Sequence, residues 1–187
     1  VTGVQTCALP IFTIFALMKL SKIKILKVIS NVFIEIVRGT PLLVQVYIFY
    51  YGIPTLLQNA GVELPQIDVM GNDFTGLCMI VITLALNSTA YVAEIIRSGI
   101  ESVNKGQMEA ARSLGLTHGM AMRYVIIPQA IKNILPALGN EFITVIKESS
   151  IVSVVGIKEL MRNAQAASGA TMMIFTPYLT AAEIGRA

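Results

Sequence analysis

Two groups of polar residues lie inside otherwise apolar runs at helical spacing. Asn87, Tyr91 and Glu94 recur at i, i+4 and i+7, and Asn140, Thr144 and Lys147 repeat the pattern, with Glu141 and Glu148 beside them. A carboxylate such as Glu141 left facing hydrocarbon costs about 3 kcal/mol on insertion scales, so these groups must face protein or water. They either line a path for a polar solute or bond helix to helix, and spacing alone leaves both readings open. Glu94 has a candidate partner in Arg97, one helical turn on. Glu148 is the carboxylate best placed to meet an ammonium group, although Lys147 adjoins it.

Other chemistry is excluded by what the chain lacks. His118 is the single histidine and has neither a base partner nor metal-ligand spacing. No nucleophile, base and acid fall into an arrangement for covalent catalysis, and no G-x-x-x-x-G-K-[ST] run is present to cradle phosphates. Of the two cysteines, Cys7 lies near the start and Cys78 lies in an apolar run, where packing is the expected role. The chain is therefore not read as an enzyme, and no metal is expected.

The elements that would position the polar stripes follow from composition. Hydrophobic residues make up 55% of the chain and charged residues 13%, with a mean hydropathy of +0.71, far from the averages of soluble domains. The apolar residues come in blocks, and the charge is gathered between them, as in a polytopic all-α membrane bundle. Phe12 to Leu20 is expected to be the tail of a first span. The basic stretch with Lys19, Lys22, Lys24, Lys27 and Arg38 reads as cytoplasmic, and Leu42 to Leu57 as a second span beginning at Pro41. Gln58 to Asp73 holds Glu63, Asp68 and Asp73 but no Lys or Arg, and is placed outside. Phe74 to Ile96 is the clearest span. Arg97, Lys105, Arg112, Arg123 and Lys132 then mark a second inward loop, about 101–128 at its centre. Ile134 to Ile146 is expected to cross again, Ile151 to Ile157 is too short to do so and reads as re-entrant or surface-lying, and Thr171 to Ala182 begins a fifth span. The net charge of +3 gathers on the inward loops and does not point to nucleic acid.

Within the second inward loop, Gly106 to Thr117 reads GQMEAARSLGLT. Gln107, Ala110, Ala111 and Leu114 share one helical face, Glu109 and Arg112 flank the alanines, Gly115 suits a helix stop, and Thr117 suits the cap of the next helix. A short helix of this kind fits a partner's groove, or lies on the membrane surface.

Glu109, Ala110, Ala111, Gly115, Val125, Ile127 and Pro128 resemble the EAA loop of importer-type ABC transporter permeases, with Val125 and Ile127 standing where Ile and Leu are usual. EIVRGTPLLVQ from Glu35, AYVAEIIRSGI from Ala90, PQAI from Pro128 and KESS from Lys147 are similar to the polar amino acid branch of that family. The resemblance implies a permease subunit of a bacterial cytoplasmic-membrane importer, multi-pass, with about five spans and working as a dimer with a second copy or paralogue. It implies that Gln107, Glu109, Ala110, Ala111, Leu114 and Gly115 dock an ATP-binding cassette subunit. ATP and Mg are used by that partner and no cofactor is bound by this chain. An extracytoplasmic amino-acid-binding protein is implied on the outer face, and membrane lipid surrounds the helices. Asn87, Tyr91, Glu94, Asn140, Glu141, Thr144 and Glu148 become candidates for the pathway of a zwitterionic solute. An ion-coupled transporter would need no docking helix, and an anchoring subunit would have little reason to carry two polar stripes.

Both ends read as foreign. Val1 to Ile11 and Glu183 to Ala187 resemble translated sequencing-library adapters, which leaves 12–182 as the expected permease portion.

Overall fold

The computed structural model describes residues 24–65, 67–69 and 72–186. In chain order the elements are α1 (Lys24–Gly39), α2 (Leu42–Tyr47), a π-helical turn (Ile48–Gly52), α3 (Ile53–Asn59), β1 (Asp68–Val69), β2 (Asn72–Asp73) and α4 (Phe74–Glu101). Then follow α5 (Lys105–Ser113), α6 (His118–Ala121), a second π-helical turn (Met122–Ile126), α7 (Ile127–Glu148), a 3-10 turn (Ser149–Val155), α8 (Leu160–Thr171) and α9 (Phe175–Arg186). Among the described residues, α4 is the helix long and apolar enough to cross a membrane by itself. The chain divides into two compact units, one of residues 40–86 and 144–186, the other of 24–39 and 87–143. The expected span over 12–20 and the adapter-like segment 1–11 lie outside the described residues.

In the first unit the core is Val46, Ile80, Leu84, Val152, Val155 and Ile157, with Leu42, Tyr50, Leu77 and Ile151 packed against it. The apolar run 151–157, expected to re-enter or lie at a surface, contributes Val152, Val155 and Ile157 to this core. A short apolar run is ambiguous until its neighbours are known, and here α2 and α4 cover it. Gly156 at φ +87 ends the turn, and the Lys158 N–H donates to Asn72 Oδ1 at 2.9 Å. The outer acidic loop carries a two-residue antiparallel ladder, Asp68 opposite Asp73 and Val69 opposite Asn72. Asp73 Oδ2 accepts from the Gly76 N–H at 2.7 Å and so caps α4. Tyr50 packs tightly on Gly76, since a Cβ there would stand 2.6 Å from the ring.

Three expected boundaries are corrected. The span from Leu42 runs helically to Asn59, in three pieces. The helix that carries the span expected over 134–146 starts at Ile127. Both π-helical turns precede a proline, Pro54 or Pro128, whose ring would press on the carbonyl four residues back and which has no N–H to donate; a wider turn relieves that clash. The fifth span does not begin at Thr171: α8 ends there, Met172 takes φ 57, and α9 starts at Phe175. Glu159 caps α8 through the Met161 and Arg162 N–H groups at 2.9 and 2.7 Å.

In the second unit α1 is amphipathic. Ile25, Val28, Ile29, Val32 and Ile36 form an exposed apolar stripe. Ile34 is buried against Ala90 and Ala93 of α4, with Phe33, Val37 and Ile96 around them. The small alanines allow this close helix contact. The charge of the stretch, read as a basic loop, masked the stripe.

Candidate functional site

The inward loop is built by consecutive local devices in the second unit. Asn104 Oδ1 accepts from the Gly106 N–H at 2.8 Å and caps α5. At the other end, the Gly115 N–H donates to Arg112 O at 3.0 Å and the Leu116 N–H to Ala111 O at 3.2 Å, the paired bonds of a Schellman stop. Gly115 sits at φ +86, where a side chain is strained. Thr117 Oγ1 then accepts from the Met120 N–H at 3.3 Å to start α6, as its position after the glycine predicts.

This assembly is fastened to the helices on either side. Gln129 Nε2 donates to Gln107 Oε1 at 3.3 Å and to Val125 O at 2.9 Å. Asn133 Nδ2 donates to Ser102 Oγ at 2.9 Å. Beneath them Gly99 of α4 meets Ile134 of α7 so closely that a Cβ would fall 2.2 Å from Ile134 Cγ1. The loop helix is thus bonded to the first turns of α7.

Gln107, Glu109, Ala110, Leu114 and Gly115 are all exposed on one short helix and its stop, and Leu114 is 85% exposed. Ala111 differs: it is 4% exposed, packed inward with Ala121 and Ile126 also buried. The expected face of Gln107, Ala110, Ala111 and Leu114 is therefore split, because the following segment folds back over one side of α5. Met120 and Tyr124 add exposed apolar surface that the spacing of α5 could not reveal. His118 is exposed at the first turn of α6.

The cap gives a direct test. Asn104→Ala should cost about 1 kcal/mol locally. Amide exchange at Gly106 and Gln107 is expected to quicken by about 5-fold, and unchanged protection would refute the capping role.

Of the polar-stripe residues, Tyr91 and Glu94 are brought together around Arg38 of α1. The Arg38 guanidinium carbon lies 5.3 Å from the centre of the Tyr91 ring, and its Nη1 is 3.9 Å from Glu94 Oε1. Arg97 Nε donates to both Glu94 oxygens at 3.1 and 3.2 Å, while its terminal nitrogens contact Glu94 and Glu101. The pairing of Glu94 with Arg97 is as its spacing allows; Arg38 was legible only as a loop charge. Asn87 is buried in α4 at 4% exposure. Asn140 and Glu141 lie on α7, exposed and half-buried respectively. Thr144 and Glu148 continue the same helix into the other unit, both half-buried.

Residues 8–184 match the family described as binding-protein-dependent transport system inner membrane component. The chain is 40% identical over 164 residues to the probable glutamine ABC transporter permease protein GlnM of Bacillus subtilis, covering 88% of this chain and 69% of that protein. It is 41% identical to the arginine transport system permease protein ArtQ of Bacillus subtilis, covering 90% of this chain and 71% of that protein. Among solved structures, an amino acid ABC transporter with histidines matches 97% of this chain and 78% of its own, at a TM-score of 0.81 and 50% identity.

Proposed function

The chain belongs to the binding-protein-dependent transport system inner membrane component family, and on that premise we propose that it is the permease subunit of an ABC importer for polar amino acids. It is an integral membrane protein of that family. The observation that carries the substrate class is its likeness, over nearly the whole chain, to a solved amino acid ABC transporter, together with glutamine and arginine permeases among its relatives.

In this reading ATP is hydrolysed by a separate subunit, which the exposed Glu109, Ala110, Leu114 and Gly115 receive, with Gln107 holding the helix to α7. Met120 and Tyr124 extend the docking surface. Ala111 acts from inside, as the small residue that lets the next segment pack against α5. An amino-acid-binding protein delivers the solute at the acidic outer loop, and a second permease copy or paralogue completes the pathway. The permease spans the bacterial plasma membrane several times, with the basic loops in the cytoplasm. Asn87, Asn140, Glu141, Thr144 and Glu148 offer the solute hydrogen bonds and charge along the way.

The test is uptake in proteoliposomes that hold the full-length permease with its ATP-binding subunit and binding protein. Glutamine or arginine should accumulate only with ATP and with both partners present. Accumulation driven by an ion gradient without the ATP-binding subunit would overturn the reading.

A further inference from the structure

Beside α1, in the second unit, lies a cavity of about 510 Å³, within the range of small-molecule sites. Lys27, Asn31, Glu35 and Arg38 of α1 line it together with Glu94, Arg97 and Glu101 of α4. The formal charges are three cations, Lys27, Arg38 and Arg97, against three carboxylates, Glu35, Glu94 and Glu101. Such a balance favours neither a simple anion nor a simple cation. A zwitterion satisfies both signs at once.

The charges are not equally engaged. Arg97 is occupied by Glu94 and Glu101. Arg38 reaches Glu94 only at 3.9 Å, beyond hydrogen-bond distance, and its guanidinium makes no hydrogen bond among the described residues. Its forked donors, steadied over the Tyr91 ring, suit a bidentate carboxylate. Glu35 lies one helical turn before Arg38 and, like Lys27, forms no ion pair among the described residues. Both are exposed and line the cavity, and Ile34 and Asn31 lie between them along α1.

We infer that this cavity binds a free α-amino acid on the side of the basic loops, with Arg38 taking the α-carboxylate and Glu35 the α-ammonium group. The inference rests on the amino acid permease reading and adds to it a site apart from the polar stripe of α7. Because recognition uses the backbone groups, the side chain of the ligand is left toward Asn31 and Lys27, and several polar amino acids fit.

The experiment is equilibrium binding of radiolabelled L-glutamine to the full-length permease in lipid nanodiscs, without ATP-binding subunit or binding protein. Glu35→Gln and Arg38→Gln should each weaken this site by at least about 10-fold. With the unmodified protein, N-acetyl-L-glutamine, which lacks the ammonium, and 4-aminobutanamide, which lacks the carboxylate, should fail to compete, whereas L-arginine should compete. That arm needs no variant to fold. Binding unchanged in both variants, or equal competition by either analogue, overturns the site. Absence of glutamine binding in discs free of phosphatidylethanolamine also overturns it, since masking by that zwitterionic headgroup is then excluded. Proteoliposome uptake separates the cases: intact uptake with no such site refutes this inference alone, while absent ATP-driven uptake refutes the reading beneath it.

Discussion

Gly115→Val is expected to reduce association with the ATP-binding subunit by more than about 10-fold, and ATP-driven uptake with it. The reason is backbone geometry. Gly115 holds φ +86, and nothing lies within 4 Å of where a Cβ would stand. What changes is the cost of the left-handed conformation, about 1–2 kcal/mol for an ordinary L residue and worst for a β-branched one. That cost falls on the Schellman bonds from Gly115 and Leu116, which direct the chain from α5 into the Thr117 cap. If they yield, Leu114 and the exposed end of α5 are no longer presented as the partner requires. A graded series isolates the cause. Gly115→Asn, tolerant of this conformation, should lose little, Gly115→Ala more, and Gly115→Val most. Glu109→Lys tests contact rather than geometry and should also weaken association. Co-purification with the ATP-binding subunit reads all four; Gly115→Val binding as well as the unmodified protein would refute the role of the stop.

That stop is also where sequence and structure agree most closely. A glycine after the last periodic residue and a threonine two positions later are local signals, and local bonds satisfy them. The apolar run of α4 was legible for the same reason, because its length alone indicates a span. Features that depend on distant partners were not. The burial of Val152, Val155 and Ile157 requires α2 and α4. The inward turn of Ala111 requires the segment after Thr117. Arg38 could not be assigned to Tyr91 and Glu94 from spacing within either helix. In α1 a local signal did exist: Ile25, Val28, Ile29, Val32 and Ile36 follow a helical period, but the basic residues between them suggested a loop. The wide turns before Pro54 and Pro128 express a steric conflict that a proline announces without stating how the backbone will resolve it.

Gly99 provides the largest expected loss of stability and the clearest reversal. A Cβ at this position would lie 2.2 Å from Ile134 Cγ1 and 3.0 Å from Cδ1, so Gly99→Ala forces α4 and α7 apart or drives Ile134 off its rotamer. Overpacking of this kind costs about 1–3 kcal/mol, and Gly99→Leu should exceed it and leave little folded protein. In a helix interior, alanine is otherwise favoured over glycine by about 1 kcal/mol. The sign of the substitution therefore depends on what stands opposite. With Ile134→Ala the obstruction is gone, and adding Gly99→Ala to that background should be neutral or stabilising. The coupling energy of the pair is expected at about 2 kcal/mol or more, which a double-mutant cycle resolves from thermal melting in detergent. Additive effects of the two substitutions would mean that α4 and α7 do not meet at Gly99. In that case the bonds Gln129 to Gln107 and Asn133 to Ser102 would have to hold the inward loop without the helix contact beneath them.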